Sequence, residues 1–182
     1  MATFLQVAFD GLLNGLLYAL VAAGLSLIWG VMDVINFAHG EFLMIAMYFS
    51  YWLGFIWKID PIISSVAGGA FVFIVGALTY RLVIRRTIGK SAMSALLATF
   101  GLSMLIKNIC LNRFSPNFRL LQDTLLGGKT FNLAGRILPV PQLVIGLVAL
   151  ALLFVVYRLV KNTRQGWAIQ ATAMSKEAAE LM

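Results

Sequence analysis

Five long stretches of this chain carry no charged side chain. Residues 11–32 hold no Asp, Glu, Lys, Arg or His, and neither do 42–57, 61–80, 91–106 and 137–157. A helix crossing the hydrocarbon core of a bilayer needs roughly 17–25 mostly apolar residues. Three of the windows are long enough alone, and the two shorter ones need polar ends, tilt or a partial crossing. The charges are sparse as well as bunched: 12% of residues are charged and the mean hydropathy is +0.92, where an ordinary soluble domain has about 25% charged residues. These windows predict an all-α fold, a polytopic transmembrane helical bundle of about five membrane segments.

The segments are expected at about 5–30, 40–57, 62–84, 91–111 and 140–160. Pro61 suits a first helical turn, and Pro139 and Pro141 bracket the start of the fifth helix. The links are 31–39, the tight turn Lys58-Ile59-Asp60-Pro61, the basic link 85–90 and a long segment 112–139. Residues 1–160 then form a transmembrane domain and 161–182 a polar tail. The N-terminus has no basic stretch before its apolar run and no small-residue cleavage site after it, so it reads as a retained first helix. Cys110 is the single cysteine, which rules out a disulfide framework within the sequence.

A net charge of +7 raises the question of nucleic acid. The basic residues, however, sit at the ends of apolar segments rather than on one solvated face. They read as anchors beside anionic lipid head groups, with no nucleic acid partner. If all five segments cross, the link 81–90 and the tail share a side. That side carries Arg81, Arg85, Arg86, Lys90, Arg158, Lys161, Arg164 and Lys176, and the opposite side carries Lys58, Lys107, Arg113, Arg119, Lys129 and Arg136. The positive-inside rule favours a cytoplasmic tail.

Between the first two apolar runs stands DVINFAHGE, residues 33–41. Asp33, Asn36, His39 and Glu41 are costly at membrane depth unless paired or hydrated. Irregular backbone at that depth is tolerated only where it is buried in protein or lines a cavity, and half-helix ends at such breaks make substrate sites in transporters. Asn36 or the backbone near His39 starts the second helix, Gly40 opens it, and Glu41 falls in its first turn, where the helix dipole favours a carboxylate. Asp33 or Glu41 is placed to pair with His39. Three readings stay open: a structural break whose polar groups satisfy one another, the lining of a translocation path, or a metal or acid–base site at His39 and Glu41. Against the last, His39 is the single histidine, and zinc wants three or four ligands. No phosphate loop or nucleophile elbow occurs either, so no enzyme and no metal site are expected.

Gly11, Gly15, Ala19 and Ala23 recur every four residues, a small-residue face that permits close helix packing in lipid. Gly68, Gly69 and Gly76 raise the same question in the third helix. In the tail, NTRQGWAIQATAMSKEAAELM, Thr163 can cap one short helix and Ser175 a second beginning at Lys176. The second is too short to be stable alone in water and gains by docking on a partner.

GLSLIWGVMDVINFAHGEFLM at 24–44 closely resembles the signature of branched-chain amino-acid ABC transporter permeases of the LivH type. ATFGLSMLIKN at 98–108 resembles their later membrane segment, and TRQGWAIQATAMSKEAAELM at 163–182 resembles the cytoplasmic loop bearing their EAA motif. The central segment 112–139 matches least. The resemblance implies a multi-pass permease subunit in a bacterial inner membrane, part of an ATP-driven importer for branched-chain or similar amino acids. It implies a second homologous permease subunit, two cytoplasmic ATPase subunits that use the ATP, a periplasmic substrate-binding protein, and no cofactor on this chain itself. Carried over, Glu177, Ala178 and Ala179 fall on the coupling helix that docks in the ATPase. Permeases for urea and short amides share these motifs and remain an alternative. The resemblance covers the N-terminal part of such a permease, truncated within the coupling loop, and a chain of this extent is expected not to transport alone.

Overall fold

The computed structural model describes residues 2–119, 127, 129–133 and 136–174. Its helices are α1 (Ala2–Met32), α2 (His39–Trp57), α3 (Pro61–Leu82), α4 (Ala92–Phe114), α5 (Val140–Asn162) and α6 (Arg164–Met174). Among the described residues four stretches are long and apolar enough to cross a membrane: Gln6–Met32, Pro61–Arg86, Ala92–Phe114 and Val140–Asn162. The second expected segment forms as α2, which begins at His39 with Glu41 in its first turn and is not among those four. The architecture is that of a polytopic helical membrane protein.

The helix ends follow from local chemistry. Asp60 accepts from the Ile62 N–H at 2.9 Å and Pro61 fills the first position of α3, where a missing N–H costs nothing. Ser91 caps α4, accepting from Ser94 N at 3.4 Å. Lys58 closes α2 at φ 52° and Ser115 follows α4 at φ 59°.

The chain divides into two compact units, one of residues 1–33 with 126–182, the other of residues 34–125. In the second, α2 packs on α3 and α4. Gly68 permits the first contact, because a Cβ there would collide with Ser50 Oγ and stand 3.0 Å from the Ala46 carbonyl oxygen. Ser50 donates to the Ser64 carbonyl at 3.0 Å, and Phe49 stacks on Phe71 at 4.3 Å. Gly69 and Gly76, by contrast, face open space. Ala38, Ile106 and Cys110 form the buried centre of this unit, with Phe42, Ile45, Tyr48 and Phe114 packed around it. Arg119 returns over the end of α2, its guanidinium 5.5 Å from the Tyr51 ring and 5.4 Å from the Trp52 ring.

In the first unit α1 packs on α5 and α6. The α1–α5 contact seats Leu13 on Gly146, where a Cβ would meet the leucine side chain, with Ala149 buried one turn on. The expected small face of α1 is placed otherwise. Gly11, Gly15 and Ala19 are exposed, with nothing within 4 Å of either glycine position, and only Ala23 is half-buried. At 100° per residue Leu13 points away from that stripe; here the small residue of the pair lies on α5 and α1 supplies the bulk. Preceding α5, β1 (Thr130–Leu133) pairs antiparallel with β2 (Arg136–Pro139), Phe131 opposite Leu138. This hairpin lies in the segment expected only as a link.

Candidate functional site: a helix break held from α4

Asp33 ends α1 in the left-handed region at φ 54°, its N–H donating to the Trp29 carbonyl at 2.8 Å. Beyond it, burial alternates residue by residue: Val34, Asn36 and Ala38 are buried, Ile35 and Phe37 exposed. That period of two is the signature of a non-helical backbone, so the break is real.

Its polar groups are satisfied from two sources. The Asn36 side-chain carbonyl accepts from the Ala38 N–H at 3.0 Å, and the Asn36 main-chain carbonyl accepts from the His39 N–H at 3.2 Å. This local asparagine turn stands in for a backbone turn and leads into α2, whose first main-chain bond runs from Phe42 N to the Ala38 carbonyl at 3.1 Å. The second source is α4. Thr99, with no exposed surface, donates to the Ile35 carbonyl at 3.0 Å while also reaching its own Leu96 carbonyl at 3.1 Å. One helical turn on, Ser103 donates to Glu41 Oε1 at 2.8 Å. Phe37 meets Phe100 edge to face at 6.1 Å.

Asn36 thus turns the chain locally, while Thr99 and Ser103 of α4 bond to Ile35 and Glu41 on either side of it. His39 is half-buried at the first residue of α2, and Gly40 is exposed with open space about it. Glu41, in the first turn of α2, accepts from the Ser103 hydroxyl. Thr99 and Ser103 escape the sequence reading although both lie within the block 98–108. The available signal was their spacing: Thr99, Ser103, Ile106 and Cys110 fall on one α4 face, and hydroxyls on the inner face of a membrane helix usually bond across to a neighbour. Among the described residues no three His, Cys, Asp or Glu side chains gather as a metal site.

At the end of α5 the tail begins with a tight corner. Thr163 accepts from the Gly166 N–H at 2.9 Å, the cap its position foretells. Its hydroxyl also donates to the Leu159 carbonyl at 2.6 Å, Gln170 Nε2 donates to the Val160 carbonyl at 3.0 Å, and Trp167 Nε1 to the Lys161 carbonyl at 2.8 Å. Three successive carbonyls that the helix end leaves orphaned are therefore satisfied by side chains of the corner and of α6. Gly166 is required there, since a Cβ would collide with the Leu159 and Val160 carbonyl oxygens. Ser175, Glu177, Ala178 and Ala179 lie outside the described residues.

A family model described as "Branched-chain amino acid transport system / permease component" matches residues 7–182. The high-affinity branched-chain amino acid transport system permease protein LivH of Salmonella typhimurium is 29% identical over 191 residues, covering 98% of this chain and 62% of the relative. LivH of Escherichia coli K12 gives the same identity and coverage. The permease protein BraD of Pseudomonas aeruginosa is 26% identical over 190 residues, again covering 62% of the relative. The chain therefore spans less than two thirds of the length of these relatives. No solved structure matches.

Proposed function

The chain belongs to the family of permease components of branched-chain amino acid transport systems, and from that premise we propose that it is a membrane-spanning permease subunit of an ATP-driven importer for branched-chain or similar amino acids. The family match over residues 7–182 carries this reading. The break supports it: residues 33–38 are irregular backbone, and α4 bonds to the Ile35 carbonyl within it and to Glu41 in the first turn of α2; transporters use such broken helices to place N–H and C=O groups along a path.

In this reading Asn36 and Glu41 shape the break, and His39 and Gly40 face the path. The corner at Gly166 sets the direction in which the chain continues toward Glu177, Ala178 and Ala179, which dock in a cytoplasmic ATPase. ATP is hydrolysed by two such partner subunits, a second permease subunit completes the channel, and a periplasmic binding protein delivers the amino acid across a bacterial inner membrane. The test is uptake of labelled leucine by cells that express the transporter, with urea and acetamide as competitors. The expected result is ATP-dependent uptake suppressed by excess isoleucine or valine. Uptake suppressed by urea or acetamide instead would reassign the substrate.

A further inference from the structure

Within the first unit a groove of about 550 Å³ runs along α1 and α5 and ends at α6. Its length is apolar, with Ala23 and Leu27 of α1 facing Leu153 and Val156 of α5, and its far end holds Tyr157, Lys161 and Gln170. The Lys161 ammonium donates to the Tyr157 hydroxyl at 2.9 Å, and two of its three N–H donors remain. The helices α5 and α6 carry Arg158, Lys161 and Arg164 and no Asp or Glu. The groove is thus walled by hydrocarbon of membrane-spanning helices, and Lys161, near the end of α5, is the cation among the residues that line it.

We propose that this groove binds one anionic phospholipid. The acyl chain lies against Leu27, Leu153 and Val156, and the phosphate meets Lys161, with the Tyr157 hydroxyl holding the ammonium in place. Charge complementarity selects the head group: basic pockets between membrane helices bind anionic lipid heads, and a lysine at a helix end extends its ammonium toward the interface. The apolar wall commits the site to a lipid rather than to a free phosphate, since a phosphate alone gains nothing from Leu153. The inference rests on the membrane embedding of α1 and α5 and does not depend on what is transported.

The experiment titrates the purified protein in detergent with dioleoylphosphatidylglycerol or dioleoylphosphatidylcholine and counts retained lipid by native mass spectrometry. One phosphatidylglycerol per chain is expected in preference to phosphatidylcholine. Lys161→Gln weakens that retention about fivefold, the effect of one basic residue at an anionic surface, while Lys161→Arg restores it. Leu153→Trp, which fills the groove without altering the cations, also abolishes it, with circular dichroism confirming that helix content is unchanged. Equal retention of the two lipids would overturn the proposal. So would unchanged phosphatidylglycerol binding in both Lys161→Gln and Leu153→Trp, or a cross-link from Leu27→Cys to another protein segment filling the groove.

Discussion

The hydroxyl of Thr99, fully buried on α4, donates to the main-chain carbonyl of Ile35, 64 residues earlier, at 3.0 Å. A helix side chain thereby satisfies a carbonyl that the break has removed from any helix. Thr99→Val keeps the shape and strands that carbonyl, which costs about 1–2 kcal/mol for a hydrogen bond between membrane helices. The expected outcome is a lower midpoint in thermal unfolding of the purified protein, with Thr99→Ser close to wild type.

Glu41 and Ser103 act as a pair across α2 and α4, 2.8 Å apart. Ser103→Ala and Glu41→Gln each weaken the contact, and the double variant is expected to fall short of their sum by about 0.5–1 kcal/mol, as coupled neighbours do. A double-mutant cycle in detergent unfolding measures this directly. Strict additivity would mean that the two side chains do not interact.

Gly68 and its neighbours separate packing from composition. Gly68→Ala places a methyl against Ser50 and the Ala46 carbonyl and is expected to destabilise by about 1–3 kcal/mol, the usual cost of overpacking. Gly69→Ala and Gly76→Ala meet open space and should be near neutral by the same assay.

The corner between α5 and α6 is as tight. Gly166→Ala drives a Cβ into the Leu159 and Val160 carbonyl oxygens, so α6 must leave its seat. Limited proteolysis of the assembled transporter should then cut near residue 166, and ATP-driven uptake should fall while the permease remains in the membrane.

Helices were legible here because charge is excluded from their interiors and marks their ends. The windows place the fifth helix at 140–160, where α5 spans Val140–Asn162, and the break between 30 and 41, where Asp33 ends α1. Partners were less legible. A stripe such as Gly11, Gly15, Ala19 and Ala23 says which face another helix can approach closely, not which neighbour takes it; in this unit Leu13 and Gly146 make the contact instead. Asn36, Glu41, Thr99 and Ser103 come from two blocks some sixty residues apart, and no local pattern joins them. The hairpin at β1 and β2 has only a weak signal, two short runs separated by two residues that include Gly135.

If the break lines the transport path, a thiol placed at Gly40 is reached from that path. Gly40 is exposed and has room for a side chain. Replacing the buried Cys110 by Ala leaves the introduced thiol as the only one in the chain. In the assembled transporter Gly40→Cys is expected to react with a membrane-impermeant thiosulfonate, the reaction to block leucine uptake, and leucine-loaded binding protein with ATP to change its rate. A Gly40→Cys thiol that stays unreactive through the whole cycle, in a transporter that still takes up leucine, would contradict it.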